Sequence, residues 1–331
     1  MISRIGLLTL LVAVMMSGAV AVIVAQGGVW GQLSQVPVSI LVAPLGMFFL
    51  TWILNALRAR IFFLGKARGF TQCRAMATIL TCDLAAKTTP GGSGVPVMAV
   101  VIMKKFGVNA GMALSGFIVI SFVDATLMVS MVALLLISGV DDLFATSWKD
   151  QATLYWAVFI VLLLVIGLSV RFYNQGLHLL VACINRVLVD KPGRYYTLRQ
   201  LVWFRRGLRD FLRFPVGRRC AFLIVTLIFW SVQLSILHAS LMVLGGHVDW
   251  FHSAAIQVIS MAAGRLLFLP GGVIGTEGAA IALLSISMAP ATATIAVLIW
   301  RSATLLTGLI VGGLSSVYFA IHLGRQFPDK A

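Results

Sequence analysis

Windows of 18 or more apolar residues recur along most of this 331-residue chain, and that recurrence limits its possible folds more than any other feature. Each window is long enough to cross a hydrocarbon core of about 30 Å as a helix. The surplus cannot be hidden in a water-soluble core: 60% of the residues are apolar and 11% charged, against roughly 45–50% and about 25% in soluble domains. The bilayer is therefore the solvent, and the chain reads as an all-α polytopic membrane protein, a single membrane domain over residues 1–331.

The pattern predicts about six transmembrane helices, at 4–26, 37–57, 109–139, 152–172, 217–245 and 290–323. The first follows Arg4 and could pass for a secretion signal, but the apolar run Ile5–Ala25 exceeds the roughly 7 to 15 residues of a cleaved one. It reads as a retained span, with an outer loop completing 1–36. Two more apolar segments, 70–106 and 251–288, are broken near the middle by Pro and Gly, which no continuous helix accommodates.

Charge orients the spans. The net charge of +15 would suggest nucleic acid in a soluble protein, but here the cations lie between membrane spans. Under the positive-inside rule Arg4, the group Arg58, Arg60, Lys66 and Arg68, the pair Lys104 and Lys105, the basic stretch Arg171 to Arg219, and Arg325 and Lys330 are cytoplasmic. The acidic loop with Asp141, Asp142 and Asp150 faces out. The expectation is a multi-pass protein of a bacterial inner membrane with both termini cytoplasmic. The crossings then balance only if 70–106 and 251–288 are re-entrant hairpins of opposite sense. Their tips must be buried together or line a water-filled cavity.

An internal repeat agrees. Pro90-Gly91-Gly92 and Pro270-Gly271-Gly272 are 180 residues apart, and the same offset carries the span starting at 37 onto that starting at 217. Repeat 1 is 37–140 and repeat 2 is 217–323, each a span, a hairpin and a span, in inverted orientation. Between them, 141–216 supplies the fourth span and a basic cytoplasmic segment, where Leu198, Leu201, Leu208 and Leu212 alternate with arginines as in an interfacial helix ending at Pro215. Inverted repeats with broken helices are a transporter architecture, with the substrate site where the repeats meet.

Charges within the bilayer cost about 2.5 to 3.5 kcal/mol each on insertion scales and need a reason to be there. They are Asp83, Lys87, Asp124, Arg265, Glu277 and Arg301. The helix after each glycine pair presents backbone N–H groups and a positive dipole end, which suits an anion. Lys87 and Arg265 stand just before the two tips. The candidate translocation site is therefore Lys87, Pro90, Gly91, Gly92, Gly94, Asp124, Arg265, Pro270, Gly271, Gly272, Gly275, Glu277 and Arg301. The alternative is internal pairing, Lys87 with Asp83 and Glu277 with Arg265 or Arg301, with no ligand involved. Asp124 reads equally as a proton-coupling carboxylate or a hydrogen-bonded structural one.

Two further classes compete. Gly91-Gly92-Ser93-Gly94 fits the Gly-x-Ser-Gly pattern of intramembrane serine proteases, with His238 in the fifth span as the available base. A non-transporting scaffold for envelope assembly is the other. The four cysteines, Cys73, Cys82, Cys183 and Cys220, lack metal-site spacing, so neither zinc nor any other cofactor is expected. No nucleotide-binding loop occurs.

Leu269-Pro270-Gly271-Gly272-Val273-Ile274-Gly275-Thr276-Glu277-Gly278-Ala279, followed by Trp300-Arg301, resembles the second signature of the lysylphosphatidylglycerol synthase transmembrane family, also called flippase-like. Thr89-Pro90-Gly91-Gly92-Ser93-Gly94-Val95-Pro96-Val97 followed by Lys104-Lys105-Phe106-Gly107-Val108 resembles its first, without the acidic residue some members carry after the glycines. The likeness runs from about 37 to 323. It implies a stand-alone membrane domain that moves a lipid, without the soluble domain that makes it. Its partners would be membrane lipids with anionic headgroups, phospholipid or polyprenyl-linked, and a second copy of the chain or an envelope-synthesis protein.

Overall fold

A computed structural model describes residues 37–137, 175, 193–246 and 248–319. The expected spans 4–26 and 152–172 and the acidic loop fall outside these residues, as does the end of the last span.

Among the described residues the chain is helical throughout. After a 3₁₀ turn at Val38–Leu41 the helices are α1 Val42–Phe63, α2 Gln72–Thr88, α3 Gly94–Lys105, α4 Ala110–Ile137, α5 Gly193–Leu212, α6 Val216–Met242, α7 Trp250–Leu266, α8 Gly275–Leu284, α9 Pro290–Arg301 and α10 Thr307–Tyr318. The segments Ser39–Phe63, Ala110–Met128, Val216–Met242 and Pro290–Tyr318 are long and apolar enough to cross a bilayer. The last is continuous through one π-helical turn, Ser302–Leu306, placed directly after Arg301. Such bulges occur mostly at functional sites.

The two broken segments are helix–turn–helix hairpins, α2 with α3 and α7 with α8. The longer arm of each has 17 residues, about 25 Å at 1.5 Å per residue, too short for a full crossing. Their outer ends are fixed by side chains. Thr71 Oγ1 accepts the Arg74 N–H at 3.5 Å, and Asp249 Oδ2 accepts that of Phe251 at 2.8 Å. Each half of the described chain thus runs long helix, hairpin, long helix.

Small residues bring the hairpins against the spans. A Cβ on Gly312 would sit 2.8 Å from the Leu80 carbonyl oxygen, and one on Gly308 would meet the Lys87 ammonium and the Asp83 carboxylate. Ser315 Oγ donates to the Ala77 carbonyl at 3.1 Å on the same stripe. In lipid, where apolar burial drives no association, this close approach is what holds α2 to α10.

The basic segment expected at the interface is helix α5, and it docks on α4. Gly207 packs against Ser115, and the Gly111 N–H donates to Gln200 Oε1 at 2.9 Å. Below it, Phe62, Phe211, Phe214 and Phe222 form one aromatic cluster. Arg218 donates to the carbonyls of Ile61, Phe62 and Leu64, at 2.8, 3.1 and 3.0 Å, satisfying acceptors left open at the end of α1. Lys66 pairs with Asp210 at 3.2 Å, and burial lowers its pKa.

One charge departs from the orienting role expected of it. Arg58 is no surface cation: it is fully buried, lies over the Phe229 ring at 4.7 Å and pairs with Asp124 at 2.5 Å. A helix places a side chain on its inner or outer face by register, and position 58 falls on the face that α1 turns toward α6.

Candidate functional site

The tips of the two hairpins meet. Pro90 and Pro270 form an antiparallel β-bridge, and the Phe268 ring lies where a Cβ on Gly91 would be, 3.2 Å away. The glycine pairs turn the chain within three residues by adopting positive φ, 59° and 73° at Gly91 and Gly92 and 66° and 65° at Gly271 and Gly272. The second tip adds two non-glycine residues in that region, Phe268 at 51° and Ile274 at 70°. For a β-branched residue that is a strained conformation, of the kind that collects at functional sites.

A cavity of about 620 Å³ opens beside the joined tips. Its lining carries the charged residues Asp83, Lys87, Asp124, Arg265 and Arg301 with the glycines Gly91, Gly92, Gly271 and Gly272. Apolar lining residues include Phe117, Ile118 and Met128 of α4, Phe229 of α6 and Leu269. The sequence-derived candidates therefore divide. Gly94, Gly275, Pro90, Pro270 and Glu277 shape or brace the tips without lining the cavity. A Cβ on Gly94 would lie 2.8 Å from Thr89, and one on Gly275 2.8 Å from the Ala263 carbonyl oxygen, so both are packing glycines.

The expectation of open helix N-termini needs correcting. Thr89 Oγ1 accepts the Gly94 N–H at 2.8 Å, and the N–H groups of Thr276 and Gly278 donate to Gly272 and Ile274 carbonyls at 3.0 and 2.7 Å. The tips satisfy these donors locally, the first through the Thr89 hydroxyl and the second through carbonyls of its own turn. Anion attraction at the cavity falls to side chains.

Those side chains are mostly paired. Arg301 Nε donates to Glu277 Oε1 at 2.7 Å and its Nη2 to the Gly271 carbonyl at 2.8 Å, and Glu277 is only 3% exposed. Lys87 pairs with Asp83 one helical turn away and lies 4.9 Å from the Phe48 ring centroid. Asp124 is held by Arg58 and by the Trp230 indole N–H at 2.9 Å. Arg265 differs. It is exposed to the cavity, its Nη1 lies 3.7 Å from Met128 Sδ, and among the described residues it pairs with no carboxylate. Trp300 lines the same space at 2% exposure, and its Nε1 bonds no acceptor among the described residues.

Sequence reasoning missed Trp52 and Trp230, which nothing in their local sequence distinguishes from other span residues; it read Arg58 only as an orienting cation and Trp300 only as the neighbour of Arg301. Gly308 and Gly312 could have been found from their four-residue spacing. His238, the base required by a serine-protease reading, has its Nδ1 3.3 Å from Ser253 Oγ, while Ser93 is the residue preceding α3 at the first tip.

Helices long enough to span a bilayer, with two short hairpins meeting at a charged cavity among them, define a polytopic α-helical membrane protein with an interior site. The chain belongs to the family described as lysylphosphatidylglycerol synthase TM region, whose model matches residues 6–312. No curated protein matches it.

Proposed function

We propose that this protein is a membrane transporter, a lipid translocase moving an amphipathic anionic lipid, a phospholipid or polyprenyl-linked lipid, across the bacterial inner membrane. The observation that carries the reading is the cavity at the joined tips, whose lining combines Arg265, Arg301 and Lys87 with phenylalanine, isoleucine, methionine and leucine side chains. A headgroup and an acyl or prenyl chain need both kinds of side chain in one cavity. About 620 Å³ falls within the usual range for ligand pockets, roughly 300–1,000 Å³, enough for a headgroup while the chains stay in the bilayer. Hairpins entering from opposite faces, with both termini cytoplasmic, would let the joined tips part toward either side in turn. The role is transport rather than catalysis.

The test is headgroup accessibility in proteoliposomes carrying purified protein, with fluorescent anionic and zwitterionic lipids and a polyprenyl phosphate. Arg265→Gln is expected to slow translocation of the anionic lipids at least tenfold while the protein stays folded. Equal rates for wild type, this variant and empty liposomes would overturn the proposal.

A further inference from the structure

Helix α5 is strongly basic, and its charge is left without counter-ions. Among the described residues none of its exposed arginines, Arg199, Arg205, Arg206 and Arg209, forms an ion pair, nor does Arg213 in the turn that follows. The one acidic residue of the helix, Asp210, is already taken by Lys66 at 3.2 Å. Arg205 and Arg206 stand four and three residues before Arg209, and Arg209 four before Arg213, spacings at which like charges weaken a helix.

Helical register sorts these side chains onto one face. Gln200, Phe204, Gly207 and Phe211 recur at helical spacing and meet the rest of the protein, the first three against Gly111 and Ser115 of α4 and Phe211 against Phe62 of α1. Opposite them Tyr195, Arg199, Val202, Arg206, Arg209 and Arg213 recur at the same spacing in a stripe turned away from the protein. Tyr195 and Val202 are 77% and 68% exposed, and Leu212 beside the stripe 70%. None of these residues lines the cavity.

Position decides what such a stripe meets. Gly111 and Ser115 fall in the first turns of Ala110–Met128, a segment long and apolar enough to cross a bilayer. Arg218, just past α5, bonds carbonyls at the end of α1, another such segment. Helix α5 therefore lies on the flank of the spanning helices where they end. Four arginines are excluded from hydrocarbon, and a face turned wholly to water gains nothing from Tyr195, Val202 and Leu212. The headgroup layer suits both, guanidinium groups on phosphates and apolar side chains at the acyl boundary.

We infer that α5 is a docking surface for an anionic lipid leaflet, separate from the cavity, and that this contact seats α5 on α4. Phe117, Ser121 and Asp124 of α4 line the cavity within about three turns of Ser115, so the charge of the surrounding leaflet bears on the cavity through a single helix.

The experiment is hydrogen–deuterium exchange of the full chain in nanodiscs, either of phosphatidylcholine alone or with about a quarter of it replaced by phosphatidylglycerol or phosphatidylserine. An arginine at an anionic surface is worth about fivefold in binding, so the four of the stripe should slow exchange over Gly193–Leu212 at least tenfold in both anionic nanodiscs. Raising salt from about 0.05 to 0.5 M should reverse the slowing by screening. Arg199→Gln, Arg206→Gln, Arg209→Gln and Arg213→Gln combined should abolish it. Arg265→Gln should leave it intact, which keeps this result apart from that of the translocation test. Should the combined variant fail to fold, the wild type decides by itself: equal exchange in neutral and anionic nanodiscs overturns the inference. Slowing by polyglutamate added to phosphatidylcholine nanodiscs, with none from the anionic lipids, would overturn it in favour of an acidic protein partner.

Discussion

Arg301 holds the second hairpin from two directions, donating to Glu277 in the helix after the tip and to the Gly271 carbonyl in the tip itself. Its own backbone stands immediately before the π turn Ser302–Leu306. Any rotation of that irregular turn moves the guanidinium, and the tip must follow or release it.

Removing one member of that pair leaves the other buried and uncompensated, which typically costs about 3–5 kcal/mol. Glu277→Gln and Arg301→Met should each lower thermal stability in detergent by an amount in that range. The double variant should recover at least half of the loss. Scanning fluorimetry on the three variants checks this, and strictly additive losses would refute the pairing as the source of the effect.

Gly308 and Gly312 allow α10 to lie directly on α2. Gly312→Ala forces its methyl onto the Leu80 carbonyl and should destabilise by about 1–3 kcal/mol. Gly308→Ala meets the Lys87–Asp83 pair instead, and should displace that pair into the cavity and alter lipid selectivity at a smaller cost in stability. Melting temperature and relative binding of labelled anionic and zwitterionic lipids separate the two outcomes.

Ile274, with φ 70° and ψ −56° at the start of α8, is held where glycine is at ease. Ile274→Gly should relieve backbone strain of about 1–3 kcal/mol, offset by the lost packing of a side chain that is 38% exposed. Stability should therefore hold or rise. Translocation should slow if the strain helps the tip to open, and a proteoliposome assay beside the melting curve reads both.

Lys66 supplies a pH dependence outside the membrane spans. Burial lowers its folded pKa below the ordinary 10.5, so between the folded and unfolded values the unfolded chain holds the extra proton. Stability then rises with pH across that window, as the penalty for burying the charged amine is lost. Denaturation of wild type and Lys66→Met at intervals up to pH about 10.5 should show the slope in the former and its flattening in the latter.

Much of the architecture was open to reading in the sequence because lipid leaves few alternatives. Apolar windows about a bilayer long must be helices, and Pro-Gly-Gly in such a window must be a break, so α1, α4, α6 and the α9–α10 span and both hairpins follow from local composition. The six crossings and the inverted orientation of the repeats go further than the described residues reach.

The charges were legible as a set but not as partners. Arg58 lies among surface cations in sequence and inside the protein in space, because helical register rather than neighbouring residues decides which face is buried. The pairing of Asp124 with Arg58 and Trp230 joins residues 66 and 106 positions apart, and only the packing of α1, α4 and α6 brings them together.

What the sequence determined by itself, then, was the solvent, the helices and the two tips, since each is set by chain-local chemistry within a few residues. What only the tertiary structure decided was which cation stays free. Three of four are paired with carboxylates, Arg58 and Arg301 through helix packing and Lys87 along its own helix, and Arg265 is left facing the cavity because among the described residues the acidic side chains that share it are already held by other cations.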